Sequence, residues 1–175
     1  MKSLTNLRHS IVAVACLALL AVGCGLPHYV ILDDPLSPQE HLKLGLSYEK
    51  QGKYQAAVKE YKDAAKKIDV AWLLLGNAEF HLGNDDAAEG AYRQAIARMP
   101  ENTRSYNNLA WLLCARGKKL AEAEALARKA LALAPAGEKA TYEDTLDKVR
   151  AARVEGGPPC QRPPKPKTTA EGSHQ

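Results

Sequence analysis

Apolar residues recur along the centre of the chain at spacings of three and four, the period of an amphipathic helix. The pattern appears three times, over Leu44–Lys67, Leu75–Pro100 and Leu109–Pro135, and each copy holds two helical stretches separated by a glycine. Each copy therefore predicts two helices joined by a tight turn. The predicted helices cover 38–51, 54–67, 69–82, 85–98, 103–116 and 120–133.

Small residues mark the places where these predicted helices cross and turn. Gly45, Gly76 and Ala110 hold the same register in the first helix of each copy, so the backbone of the second helix can approach closely. Pro100 and Pro135 end the second helices of the later copies, because proline cannot continue a helix. The turns carry glycines, which adopt the left-handed conformation at a helix end without steric cost. These turn glycines are Gly52, Gly83 and Gly117.

A seventh helix is predicted over Glu138–Val154. Its apolar residues Tyr142, Leu146 and Val149 fall on one face, and charged residues fill the others. A stack of helical repeats needs a terminal helix with one polar outer face. The segment is either such a cap or the first half of a decayed fourth repeat, and both interpretations give the same structure.

The threefold pattern resembles the tetratricopeptide repeat (TPR) family, whose 34-residue signature combines a Leu-Gly pair with spaced aromatic, alanine and proline residues. His41 stands where that family usually has Trp, and Glu79 where it usually has Tyr. The resemblance covers Pro38–Pro135 and implies an all-α fold: a right-handed superhelix of three helix-turn-helix repeats plus a C-terminal capping helix. The implied repeats are 38–68, 69–102 and 103–137. The matches in the second repeat are Trp72, Leu75, Gly76, Gly83, Ala88, Tyr92, Ala95 and Pro100.

The same resemblance implies a concave groove, lined by the first helix of each repeat, that takes an extended peptide or a helix of a partner protein. The asparagines and the arginine of this groove are expected to donate hydrogen bonds, and its two large aromatic residues to anchor apolar side chains. Alternatively, Trp111 and Leu46 face the capping helix or the N-terminal tether. The implied groove residues are Asn77, Phe80, His81, Arg104, Asn107 and Trp111.

The first 23 residues have the composition of a secretory signal peptide. Lys2 and Arg8 precede an uninterrupted apolar run, Ile11–Val22, and small residues follow it. Twelve residues are too few to span a bilayer, which takes about 20. The alternative, a buried N-terminal helix, would need apolar partners on every side.

Cys24 directly follows small residues at Ala21 and Gly23, which suit signal peptidase. The four residues Ala21–Cys24 also resemble the bacterial lipoprotein signal, which is cleaved at the same bond. That resemblance implies a lipidated Cys24 and a chain anchored to the membrane through fatty acyl groups. Gly25, where Asp would mark inner-membrane retention, favours the outer membrane facing the periplasm. An unmodified Cys24 would instead give a soluble periplasmic protein.

Two segments outside the repeats have a simpler composition. Residues 24–37 form a tether in which Tyr29–Leu32 is apolar, and this run packs on its own domain or adds to the edge of a partner's sheet. The tail, residues 155–175, contains five prolines and little that is apolar, which predicts disorder. Its PPKPK stretch is alternatively a polyproline II ligand.

The charge and the cysteines exclude several classes of protein. The net charge of +4 falls to +2 if residues 1–23 are removed, and a nucleic-acid interface needs clustered positive charge. Four cysteines without regular spacing do not predict a disulfide scaffold. Cys114 is expected to be a small buried apolar residue. If Cys16 is removed and Cys24 is modified, Cys114 and Cys160 remain as an unassigned pair. A redox reaction between these two is the one enzyme-like alternative.

The sequence contains no recognisable catalytic or cofactor motif. Its five histidines lack metal-ligand spacing, and no phosphate-binding glycine loop is present. We therefore expect a non-enzymatic protein with no metal and no cofactor. The leading hypothesis is a membrane-anchored adaptor that mediates protein–protein interaction in assembly of a bacterial envelope complex. The alternative is a self-assembling structural lipoprotein without a peptide ligand.

Overall fold

A computed structural model describes residues 35–154 and 160–161, and all regular structure within these ranges is helical. From Leu36 onward the described elements belong to one compact unit. The predicted signal peptide, Cys24, nearly all of the tether and most of the tail lie outside the described residues. A 3₁₀ turn, Ala136–Glu138, precedes the last helix. The helices are α1 (Pro38–Lys50), α2 (Tyr54–Ala64), α3 (Val70–Leu82), α4 (Asp85–Arg98), α5 (Thr103–Ala115), α6 (Leu120–Leu133) and α7 (Lys139–Val154).

The helices pack as three successive pairs. Helix α1 packs on α2, α3 on α4 and α5 on α6, and each second helix also contacts the first helix of the next pair. Helix α7 closes the stack by packing on α6 and α5. This superhelical arrangement confirms the predicted all-α fold of three helix pairs with a capping helix. In the described ranges, no helix has both the length and the apolar composition that crossing a membrane requires.

The helix crossings explain the small residues in the repeat pattern. A Cβ atom added at Gly45 would lie 2.6 Å from the Tyr61 ring, and one added at Gly76 would lie 2.5 Å from the Tyr92 ring. Both distances are shorter than any van der Waals contact. In the third pair, Ala110 stands at the glycine position and packs in one cluster with Ala127 of the second helix, and both alanines are fully buried. A smaller residue on the second helix thus allows a larger one on the first.

Local sequence signals set the helix ends. Ser37 and Glu40 form a capping box at the start of α1, in which each side chain accepts a hydrogen bond from the other residue's backbone N–H. The three predicted turn glycines all have positive φ, between 60° and 80°. Helix α2 ends at Ala64, three residues before the predicted end, and the chain then turns through residues 65–67. No proline or glycine marks that end in the sequence.

The two departures from the family signature are buried polar groups with partners. His41, 5% exposed, lies 2.7 Å from Glu60, its Nδ1 facing the carboxylate Oε2. Glu79, 3% exposed, accepts a hydrogen bond of 2.7 Å from the side chain of Asn84 and lies 3.6 Å from the Lys62 ammonium. A buried polar side chain is tolerated when it is hydrogen-bonded, which both of these are.

The predicted apolar face of the capping helix is buried: Tyr142, Leu146 and Val149 are at most 4% exposed. At the other side of the α6–α7 contact, the carboxylate of Glu124 accepts hydrogen bonds from Arg153, Arg128 and Arg150. Because these hydrogen bonds favour the charged carboxylate, above all the one from Arg153, they lower the pKa of Glu124 to about 2. The capping helix is therefore held by an apolar face and by a cluster of ion pairs.

Candidate peptide-binding groove

A cavity of about 360 Å³ opens on the side of the stack formed by the first helix of each pair. It contains five of the six predicted groove residues; the sixth, Arg104, is exposed in the first turn of α5 and does not line it. The structure thus brings five of the predicted residues to one cavity and leaves the predicted cation outside it. The lining residues are Glu49, Asn77, Phe80, His81, Tyr92, Asn107, Asn108 and Trp111.

Hydrogen bonds fix the orientation of the Asn77 amide at the centre of the cavity. Its Oδ1 accepts from the Tyr92 hydroxyl at 3.0 Å and from Asn108 Nδ2 at 2.8 Å. With both acceptor positions of Oδ1 used, the NH₂ group of Asn77 is left to donate to a ligand. Tyr92 and Asn108 were not predicted as groove residues, although Asn108 directly follows the predicted Asn107.

Asn107 offers the complementary group. Its Oδ1 is buried and has no hydrogen-bond partner among the described residues, while its Nδ2 makes a long contact of 3.5 Å to Asn108 Oδ1. A buried acceptor without a partner costs about 1–3 kcal/mol. A donor from a ligand or from water would remove that cost. The cavity thus contains an oriented amide donor, and beside it lies a buried amide acceptor without a partner among the described residues.

Glu49 supplies the carboxylate of the cavity from helix α1. It accepts a hydrogen bond from the Tyr61 hydroxyl, and burial together with this carboxylate raises the pKa of Tyr61 well above its usual range. The hydroxyl therefore stays protonated and holds the Glu49 side chain in place. Nearby, the His81 ring stacks on Tyr54, with ring centroids 4.6 Å apart and planes 19° from parallel.

The two predicted aromatic anchors differ in what they expose. Phe80 is only 8% exposed and belongs to the main apolar core, so it offers little surface to a ligand. Trp111 is partly buried, and the Lys148 ammonium of α7 lies 5.3 Å from its ring centroid, a cation–π distance. Trp111 therefore contacts the capping helix, as the alternative interpretation expects, and also lines the cavity. Leu46 is 37% exposed and does not line it.

A disulfide bond joins Cys114 of α5 to Cys160, and neither residue lines the cavity. The sequence left this pair unassigned, and Cys114 is indeed buried, but as half of a cystine rather than as an isolated apolar residue. One sequence signal does point to the pair. If residues 1–23 are removed and Cys24 is lipidated, these two cysteines are the remaining ones.

A second, larger opening of about 520 Å³ lies between the turns of the second and third pairs. Two of its charged residues already pair with each other, since Arg116 lies 2.8 Å from Asp86, and Arg116 also lies 3.0 Å from Glu89. The described residues that line it include no aromatic one. Ligand sites usually combine apolar walls with a few oriented polar groups, so the groove fits a ligand better. Among the described residues, no cluster of three potential metal ligands occurs.

Comparisons with known proteins agree with this architecture. Two tetratricopeptide repeat models match residues 42–102 and 103–134, together more than half of the chain. The first TPR of Spaghetti (RPAP3), solved bound to the HSP90 peptide SRMEEVD, is 29% identical over 71% of this chain and 98% of that chain, with a TM-score of 0.60.

A structure of MamA is similar in fold alone, with 20% identity over 70% of this chain and 82% of that chain and a TM-score of 0.54. The comparison with curated proteins returned no match. The helix pairs, the groove and the two family models lead to one conclusion. The chain belongs to the tetratricopeptide repeat family, whose stacked helices form protein-interaction scaffolds.

Proposed function

We propose that this chain is a lipid-anchored adaptor of the bacterial cell envelope whose groove holds an extended peptide or a helix of a partner protein. The observation that carries the proposal is the cavity of about 360 Å³, in which polar amides and an aromatic ring face the same space. Such a combination gives a ligand both orientation and apolar contact.

The chemistry of the groove matches a polypeptide backbone. The Asn77 NH₂ group donates, as a peptide carbonyl requires. The Asn107 Oδ1 is buried and has no partner among the described residues, and a rotation of its side chain would turn it towards a peptide N–H. Trp111 provides a large, rigid apolar surface beside them, the kind of residue that dominates binding energy at interfaces. A partner segment would therefore be held through its backbone and selected by the side chain that reaches Trp111.

The charge of the groove favours a neutral or basic segment. The TPR of Spaghetti (RPAP3) was solved with the acidic peptide SRMEEVD. In this chain, the titratable residues other than tyrosine that line the cavity are Glu49 and His81, and no lysine or arginine is among the described residues that line it. A C-terminal carboxylate would meet Glu49 without a compensating cation. We therefore propose an internal segment of the partner as the ligand.

Two features support a location in the envelope. Disulfides persist in oxidising compartments, such as the bacterial periplasm, and are rare in the cytosol. The Cys114–Cys160 bond therefore supports export of the chain, in agreement with the signal peptide predicted over residues 1–23. The lipobox-like residues before Cys24 support anchoring, and Gly25 favours the outer membrane.

The test is recovery of envelope partners by crosslinking and affinity capture. We expect the variants Asn77→Ala and Trp111→Ala to lose captured partners, since each removes a group that faces the cavity. Phe80→Ala is unsuitable, because that ring is part of the core and its loss would cost about 3–5 kcal/mol.

The matched control is Val154→Ala, which removes an 81% exposed apolar side chain outside the cavity. Circular dichroism melting of all three variants would verify that they fold. Equal partner recovery from wild type, Asn77→Ala and Trp111→Ala would rule out the groove as the binding site.

A further inference from the structure

The disulfide ties the segment that follows the capping helix back to α5. Helix α7 ends at Val154, and six residues later Cys160 is bonded to Cys114 in α5. Cys160 is itself buried, 6% exposed, and its backbone N–H lies 3.3 Å from the Cys114 sulfur. The tail therefore starts from a fixed point on α5 and not from the free end of the capping helix.

That fixed point lies on the groove face of α5. Residues four and seven positions apart share one face of a helix. Asn107 and Trp111 both line the cavity, and Cys114 follows them at the next position of the same face. Cys160 is therefore held about one helical turn from Trp111.

The tail is long enough to cross the groove. The next six residues, Arg162–Lys167, span about 19 Å in a polyproline II conformation at about 3.1 Å per residue. Neighbouring packed helices lie about 8–10 Å apart, so the path from α5 past α3 to α1 is about 16–20 Å. The segment can therefore extend from Trp111 to Glu49.

The chemistry of this segment complements that of the cavity. Arg162–Lys167 reads RPPKPK, with three cations, three prolines and no acidic residue. Proline-rich segments dock in grooves lined by aromatic rings and lose little entropy, because they are already extended. The cavity provides the Trp111 ring for the prolines and the Glu49 carboxylate for a lysine.

We propose that Arg162–Lys167, tethered through Cys160, occupies the groove of its own chain and competes with the partner segment. The proposal rests on the peptide-binding role proposed above and adds a ligand that the chain itself carries. A short tether gives the tail a local concentration of about 1 mM, so a tail of about 0.1 mM intrinsic affinity weakens a competing peptide about tenfold.

The experiment uses the oxidised full chain in detergent, labelled with fluorotryptophan. The chain contains two tryptophans, so fluorine NMR reports Trp111 in the groove and Trp72, which does not line the cavity, as an internal reference. Two truncations are compared: one ends at Gln161, and the matched control ends at Lys167 and retains the proposed ligand. We expect the Trp111 signal to shift only in the chain that ends at Gln161, with Trp72 unchanged in both.

The peptide QRPPKPK, added to the chain that ends at Gln161, should restore the Trp111 signal of the full chain and bind the full chain about tenfold more weakly. An unchanged Trp111 signal on truncation at Gln161, or equal shifts in both truncations, would overturn the proposal. A shift caused only by deleting the tether run Tyr29–Leu32 would also overturn it, because the tether would then be the occupant.

Partner capture by the chain that ends at Gln161 separates this proposal from the adaptor function. If partner capture is lost in Trp111→Ala but is the same for the full chain and for the chain that ends at Gln161, the adaptor function stands and the internal ligand is refuted.

Discussion

The contact between Gly76 and Tyr92 allows a stability prediction with a matched control in the neighbouring helix. In Gly76→Ala, the new Cβ would lie 2.5 Å from the Tyr92 ring, which is 1% exposed and has no space to retreat into without moving the helices apart. Overpacking a core costs about 1–3 kcal/mol, and such a short contact belongs at the upper end of that range. Alanine's helix preference over glycine offsets about 1 kcal/mol.

The expected result for Gly76→Ala is a net destabilisation of about 1–2 kcal/mol. The control is Gly90→Ala in α4, where an added Cβ meets nothing within 4 Å. It keeps only the helix preference and should stabilise the protein by about 0.5–1 kcal/mol. The two substitutions are chemically identical, so their difference isolates the contact with Tyr92.

Urea unfolding of the oxidised chain, followed by circular dichroism, measures both changes. Gly76→Ala should in addition lower the affinity of the groove for a partner segment, because movement of the Tyr92 ring breaks the hydrogen bond that orients Asn77. If Gly76→Ala proved as stabilising as Gly90→Ala, the helix crossing would not be as close as described, and the explanation of the repeat glycines would fail.

Four further predictions concern other parts of the chain. Reduction, or Cys160→Ala, should lower the free energy of unfolding by about 2–4 kcal/mol, since the disulfide closes a long loop. The stability of the Cys160→Ala variant should not change when reductant is added. Equal stability of the wild type with and without reductant would contradict the disulfide. Hydrogen bonds from Arg153, Arg128 and Arg150 lower the pKa of Glu124 to about 2. The charged carboxylate therefore stabilises the folded state above the usual carboxyl pKa, and this contribution is lost as the pH falls towards 2. Glu124→Gln should therefore show a smaller loss between pH 5 and pH 2 in acid unfolding, and an identical acid profile would argue against the cluster. Mass spectrometry of the mature chain should find fatty acyl groups on Cys24, and an unmodified Cys24 would make the chain a soluble periplasmic protein. Sedimentation of the chain should give a monomer, whereas a concentration-dependent oligomer would favour the self-assembling alternative.

The helices could be predicted because the signals that form them are local and occur three times. Apolar spacing, turn glycines and terminal prolines predicted the first and last residues of the repeat helices closely. The exception was α2, which ends at Ala64 without a glycine or proline to mark the place. The groove followed from the same register, since residues at equivalent positions of equivalent helices must share a surface.

The features that could not be predicted from the sequence depend on contacts between residues distant along the chain. Asn108 bonds to Asn77 across 31 positions, and Cys114 to Cys160 across 46, so neither contact leaves a periodic trace. The burial of Phe80 and the exclusion of Arg104 from the cavity likewise depend on how tightly neighbouring helices approach. Sequence reasoning identifies which face a residue occupies, whereas exposure on that face is decided by packing.

The hydrogen bond from Asn108 to Asn77 has a mechanical consequence for the groove. Stacked repeats bend and twist through small rotations between neighbours, and these rotations set the curvature of the concave surface. This bond joins the first helices of the second and third repeats at the surface where a ligand would lie. Because the bond restrains rotation of these two helices relative to each other, this part of the groove would keep its width when no ligand is bound. A partner segment would then select this chain by fitting a fixed gap rather than by bending the stack around itself.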